Sequence, residues 1–216
     1  MIHPHTELRH VSDAIGVGVF ATRDIARGTI VWVMDELDQK LSIERVRELG
    51  PRYEALLERY AYQGPDGERI LCWDLARFVN HSCEANAVST GWDFDIAVRN
   101  IAAGEEITND YGALNLERSF ACHCEAARCR RVVRPADFER LADVWDGRVS
   151  AVYPELLSVV QPLWKWVPSK RRVTAAARDP RRLPSIRQHR LLELASPDAS
   201  AAARPSRLAR VAGAAG

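Results

Sequence analysis

Arg77-Phe-Val-Asn80-His81-Ser-Cys83-Glu-Ala-Asn86 is the least ordinary stretch of the chain. The apolar Ala76-Arg-Phe-Val79 leads directly into seven residues holding two Asn, a His, a Ser and a Cys, with no aliphatic larger than Ala. Many hydrogen-bonding groups are thereby crowded into one turn. On composition alone two accounts stay open: a polar turn whose Asn and Ser cap their own backbone, or a turn built to bind something. Taken singly, His81 reads as a hydrogen-bonded structural histidine before it reads as a ligand.

Working outward, Val17, Val19 and Ala21 alternate with Gly18, Phe20 and Thr22, and Asp24 to Gly28 breaks the run before Thr29-Ile-Val-Trp-Val-Met34; this predicts two strands around a turn. Ser42 is a candidate N-cap for a helix from Ile43 to Leu49 that stops at Gly50, and Pro51 opens a second short helix carrying Tyr53, Leu56, Leu57 and Tyr60. The pair reads as a helical insertion between strands. Gly64-Pro-Asp-Gly67 is a turn before a strand at Ile70 to Trp73, Phe94, Ile96 and Val98 mark a half-buried strand, and Gly104 turns the chain into another at Glu105 to Thr108. Further on, Pro135 to Trp145 and Ser150 to Val167 are predicted as helices, the second bent or broken at Pro154 and Pro162.

With 216 residues, 47% hydrophobic and 27% charged, the chain can bury a substantial core and is not wholly disordered. Its longest apolar run, Ile30 to Met34, falls far short of the roughly 18 residues of a membrane span, and residues 1–7 do not read as a signal peptide, so a cytoplasmic location and no membrane partner are expected. The net charge of +1 hides an asymmetry: from Pro168 onward there are 11 Lys/Arg against 3 Asp/Glu, leaving 19 basic and 26 acidic residues before it. Past about Ser169 little packed structure is expected apart from a short helix near Arg187 to Leu194, so residues 168–216 are read as a basic, disordered tail. Nucleic acid is a conceivable but disfavoured partner for it, because the body is acidic. Three of the five cysteines crowd into Cys122-His-Cys124-Glu-Ala-Ala-Arg-Cys129, which suits a metal site better than a disulfide framework. Tetrahedral zinc needs a fourth ligand, and His123, between two of these cysteines, should point away. Cys72 is read as a small buried hydrophobe.

Four segments stand in a telling order: Gly16-Val17-Gly18 through Gly28, Arg77 through Asn86, Gly104-Glu-Glu-Ile-Thr-Asn-Asp-Tyr111-Gly112, and Cys122 through Cys129. Together they resemble the SET-domain protein lysine methyltransferases with their post-SET zinc segment, over about residues 8 to 133. The resemblance implies a mainly β fold of several small sheets with a C-terminal pseudoknot, here carrying the helical insertion and C-terminal helices. It divides the chain into a SET domain at 1–133, with the zinc segment at 122–133, a helical appendage at 134–167, and the tail.

It also implies an enzyme using S-adenosylmethionine, bound by Gly16, Val17 and Gly18, where glycine lets backbone approach a ligand closely, and by Asn80, His81 and Tyr111. Tyr111 matches the family's catalytic tyrosine, expected to orient and polarise rather than act as a strong base, since an ordinary phenol stays protonated at neutral pH. The fourth zinc ligand would be Cys83, joining Cys122, Cys124 and Cys129. The partner would be a basic protein or peptide bearing the target lysine. Departures from the pattern are Ala85 where proline is common, and Ala113, Leu114 and Ser89 where aromatics often complete a channel. Tyr60, Tyr62, Trp73, Trp92 and Phe120 are candidates to line it, each read as core first. Two other functions remain: a non-catalytic SET-type protein-binding module, and a nucleic-acid binder using the tail. The substrate, the number of methyl groups and the oligomeric state are not legible.

Overall fold

The structure is a computed structural model and describes residues 1–192. Its strands, in chain order, are β1 (Thr6–Ser12), β2 (Gly16–Ala21), β3 (Ile30–Val33), β4 (Gln39–Leu41), β5 (Ala61–Gln63), β6 (Arg69–Leu71), β7 (Asn80–His81), β8 (Ala87–Ser89), β9 (Phe94–Ala97), β10 (Glu106–Asn109), β11 (Phe120–Ala121) and β12 (Val132–Val133). Helices α1 (Ile43–Leu49) and α2 (Pro51–Tyr60) sit between β4 and β5; α3 (Asp137–Val152) and α4 (Lys170–Arg178) follow the last strand. The strands form four small sheets, ordered β1-β2-β10-β7, β3-β9-β8, β4-β6-β5 and β11-β12.

The two insertion helices form where the sequence places them. Ser42 accepts a hydrogen bond from the Arg45 N–H, and Gly50, at φ +80°, closes α1 in a conformation other residues reach only with strain. Leu57 is the one buried residue of α2 and α1 has none, so this pair is a thin cover. By contrast α3 buries Phe138, Ala142, Trp145, Val149 and Val152, a spacing of four and three that lays one apolar stripe on the protein. Each large side chain so buried stabilises the fold by about 1.5–3 kcal/mol.

Several sequence expectations are corrected. The two strands expected between residues 15 and 34 both form, but in different sheets: β2 joins β1 and β10, whereas β3 joins β9. Strand β1, half-exposed and rich in charge, carries too weak an alternation to be read. The predicted helices at Pro135–Trp145 and Ser150–Val167 are one helix ending at Val152, where Pro154 starts a 3-10 turn at Tyr153–Leu157, followed by another at Trp164–Trp166. Gly147 does not break α3, because the residues around it are anchored in the core.

The helical appendage and the start of the tail also differ from expectation. Val173, Ala176 and Ala177 of α4 and Ile186 are buried in one cluster with Phe138, Trp145 and Tyr153 and with Ile30, Val88, Phe94 and Ile96 of the β3-β9-β8 sheet. Residues 137–186 therefore complete the core of that sheet. The basic residues of α4 concealed its narrow apolar face, and the expected helix near Arg187–Leu194 is a 3-10 turn at Ile186–His189. Residues 193–216, with the remainder of the expected tail, lie outside the described residues. No described helix is long and apolar enough to cross a membrane.

Candidate active site

Strand β10 lies between β2 and β7, antiparallel to the first and parallel to the second, with Thr108 beside Asn80 and Asn109 beside His81. This crossing brings segments far apart in sequence together. Asn80 Nδ2 donates to the Val17 carbonyl at 3.1 Å and to Glu106 Oε1 at 2.7 Å. A Cβ on Gly18 would stand 2.1 Å from Glu106 Oε1 and 2.8 Å from Asn80 Nδ2, so glycine is what lets this pair close over the strand. Gly16 has a different reason: at φ +88°, with nothing within 4 Å of an added Cβ, it turns the chain into β2 beside open space. Burial raises the Glu106 carboxyl pKa, with Asn80 opposing.

Past the end of β10, Asp110 caps a 3-10 turn at Tyr111–Ala113 by accepting from the Gly112 N–H. The Tyr111 N–H donates to His81 Nδ1 at 3.1 Å, and its hydroxyl donates to the Val79 carbonyl at 2.7 Å. Burial, then the nearby Glu106 charge, push the Tyr111 phenol well above its ordinary value. Such a phenol stays protonated at neutral pH and is no base there. Burial brings His81 down to about 4, with Asp110 opposing, so the ring is neutral. With Nδ1 accepting from Tyr111, the proton resides on Nε2, which faces Cys83 Sγ at 3.4 Å. His81 thus joins the Tyr111 backbone to the sulfur cluster.

Ligand atoms of His81, Cys83, Cys122 and Cys124 lie within 4.8 Å of one another, a group able to hold a metal ion. Cys83 Sγ is 3.7 Å from Cys122 Sγ, too far for a disulfide, and the Cys83 N–H points at Cys124 Sγ at 3.4 Å. Cys129 joins through side-chain contacts to Cys122 and Cys124. His123 is exposed and Cys72 is buried elsewhere, as expected. His81 is the candidate donor not foreseen: it stands in the group where Cys129 was expected, and with its proton on Nε2 it donates to Cys83 Sγ. Four thiolates about 2.3 Å from one ion stand about 3.8 Å apart, so the Cys83–Cys122 spacing fits. Burial opposes ionisation of Cys124, but N–H groups of Cys83 and Ala126 prevail and bring it down to about 7; burial raises Cys83 and Cys122.

Arg130 fixes this cluster to the rest of the protein. Its N–H and Nε both point at Cys83 Sγ at 3.4 Å, and its guanidinium pairs with Asp110 and with Asp137 in the first turn of α3. Asp110 also accepts from Trp145 Nε1 at 3.2 Å. Neither arginine nor aspartate was singled out from sequence; isolated charges beside a motif carry no mark of burial.

On its other side Tyr111 lines a cavity of about 310 Å³ together with Tyr60, Tyr62, Trp92 and Phe120. These aromatics, read as core first, are half-buried cavity walls; Trp73 lies exposed with its indole N–H on Asp35. Ala113, Leu114 and Ser89 line it too, filling positions where the channel was expected to lack aromatics. Asn115 builds part of the wall: its side chain donates to the Gln63 and His189 carbonyls and accepts from the Leu191 N–H. Gly16, Val17, Gly18, Asn80 and His81 stand outside this cavity and reach it through Tyr111 and Val79.

Comparison with protein families matches residues 16–112 to the SET domain. The span begins at Gly16 and ends at Gly112, so it contains the glycines, the Asn80–Cys83 turn and Tyr111, and excludes Cys122, Cys124 and Cys129. Among known proteins, the chain is 29% identical over 132 residues to Variant-silencing SET domain-containing protein of Plasmodium falciparum, covering 55% of this chain and 5% of that one. It is 34% identical over 95 residues to Histone-lysine N-methyltransferase ATX2 of Arabidopsis thaliana, covering 38% and 9%. Histone-lysine N-methyltransferase ASHH3 of the same plant is 29% identical over 132 residues, covering 56% and 36%. The chain spans little more than a third of the longest-covered of these three relatives and under a tenth of the other two.

Proposed function

We propose that the protein is an S-adenosylmethionine-dependent protein-lysine N-methyltransferase whose Cys83, Cys122, Cys124 and Cys129 hold a structural zinc ion. The observation that carries this reading is the position of Tyr111. One side of the residue is joined through His81 and β10 to the Gly16–Gly18 and Asn80 cluster, and the other faces an aromatic cavity. A methyl donor and a methyl acceptor would thus approach one phenol from two directions.

When bound, S-adenosylmethionine supplies an electrophilic methyl group on a sulfonium. Gly16, Val17 and Asn80 would hold it at the end of β2, where the chain is open around Gly16. Tyr60, Tyr62, Trp92 and Phe120 exclude water from the entering side chain, which favours its neutral, nucleophilic amine. The Tyr111 hydroxyl, directed by the Val79 carbonyl, keeps its oxygen lone pairs free to orient the amine and to accept polarised C–H groups. The sulfur-only donor set suits zinc, which would clamp residues 122–129 against the Asn80–Cys83 turn. The basic partner expected from the resemblance is the acceptor class, and histones are the natural first substrates because relatives bear that name.

The test is transfer of labelled methyl from S-adenosylmethionine to a core-histone mixture. Tyr111→Phe should retain fold and lower the rate by about 100-fold, the scale of losing one preorganised polar group. Undiminished transfer in Tyr111→Phe, or none in the wild type on any basic protein of a broad panel, refutes the proposal.

A further inference from the structure

Resting on that functional reading, we propose that Asp95 is the specificity-determining residue of the aromatic cavity, an anion that selects a cationic side chain for entry. On β9, Phe94 and Ile96 are buried in the core, and Asp95 between them faces the other way, half-buried, into the cavity wall. An ionisable group in such surroundings is costly unless it is satisfied. Asp95 Oδ2 accepts from Asn109 Nδ2 at 2.7 Å, and Asn109 also donates to Ser89 Oγ at 3.0 Å. Burial raises the carboxyl to about 6, with Ser89, Asn109 and His189 opposing, so it is still largely ionised at neutral pH. Its hydrogen-bond donor Asn109 is neutral, and among the described residues no Lys or Arg forms an ion pair with it.

The wall also carries buried polar atoms without a partner among the described residues: the indole N–H groups of Trp32 and Trp92, which are donors, and one acceptor. Gln63 Oε1 is a buried acceptor without a partner among the described residues, and Gln63 lines the same cavity. The indole donors are neutral, so the one full charge facing the cavity beside the Gln63 acceptor is that of Asp95, which calls for a cationic N–H donor. Of the wall's basic side chains, Arg69 pairs with Glu117, Arg59 lies over the Tyr60 ring, Arg77 lies over Phe78, Lys40 and Arg118 are exposed, and His189 Nε2 meets the Trp92 carbonyl. An ammonium entering among Tyr60, Tyr62, Trp92 and Phe120 loses its water, and Asp95 offsets that cost where a neutral chain of the same length would gain nothing. The aromatic faces add a weaker attraction of the same sign.

The experiment compares n-butylammonium chloride with n-butanol, titrated against the full chain and followed through the Trp92 indole resonance. The wild type should bind the ammonium about tenfold more tightly than the alcohol. Asp95→Asn should abolish that preference and Asp95→Leu reverse it, with thermal unfolding confirming that each variant is folded. If the chain methylates histones, Asp95→Asn should raise KM about tenfold and leave kcat within about threefold. A wild type indifferent to charge, or a folded Asp95→Asn that keeps the preference, overturns the proposal. Ammonium preference in a chain that transfers no methyl group would support the cation site while refuting the enzymatic reading, so the two failures are distinguishable.

Discussion

Replacing Gly18 with alanine tests the core of the site through one methyl group. The backbone there is unstrained, so the cost comes from space: the new Cβ would lie 2.1 Å from Glu106 Oε1 and 2.8 Å from Asn80 Nδ2. Both are ends of flexible side chains and can swing away, but in doing so they lose the 2.7 Å hydrogen bond that joins them. A partly buried bond to a carboxylate contributes about 1.5–3 kcal/mol. At about 2–4 °C per kcal/mol for a protein of this size, Gly18→Ala should lower Tm by about 3–12 °C. Gly16→Ala is the contrast, since its penalty of about 1–2 kcal/mol comes from φ alone. The assay is a double-mutant cycle with Glu106→Ala, read by thermal unfolding. Gly18→Ala and Glu106→Ala should be coupled by more than 1 kcal/mol, while Gly16→Ala and Glu106→Ala should add. Additivity within about 0.5 kcal/mol for the first pair would refute the reasoning.

Three further outcomes are expected. Asp110→Ala leaves Arg130 with Asp137 as its remaining carboxylate and the Trp145 N–H without an acceptor, and should cost about 2–3 kcal/mol in urea unfolding; a loss under about 1 kcal/mol would mean that Asp137 and water take over both roles. Elemental analysis should find one zinc per chain in the wild type and in Cys72→Ser but little in Cys83→Ser, and a zinc chelator should lower the Tm of the first two only; full zinc in Cys83→Ser would exclude it as a ligand. His3 is buried and held down to about 4, by burial and then by His5, and it accepts the His5 N–H, so the unfolded chain takes up the proton first as pH falls below about 6.5. Stability should therefore fall between about pH 6.5 and 4, where His81 contributes as well, and His3→Gln should remove part of that fall.

What could be read from sequence followed the density of polar and sulfur chemistry. Asn80 to Asn86 and Cys122 to Cys129 announced themselves by composition, and the structure brings the two together at Cys83. Caps and breakers placed α1 and α2 because Ser42, Gly50 and Pro51 act locally. Strand partners were beyond reach: nothing in Val17 to Ala21 states that β10 rather than β3 will lie beside it, since pairing is decided by the whole core. The packed helix at Lys170–Arg178 was hidden because three of its nine residues are buried and small or β-branched, and the basic remainder resembles solvated chain. Asp95 was invisible for a related reason. An aspartate in an alternating strand reads as the solvent face, whereas this one faces a cavity.

Asn115 lies just beyond the family match, and two of its three partners lie more than seventy positions later in the chain. Trimming the protein back to residue 112, or even to the last cysteine, would therefore strip away the staple and the His189 flank, leaving a vessel with one side open. A shorter version would have to keep the chain through Leu192.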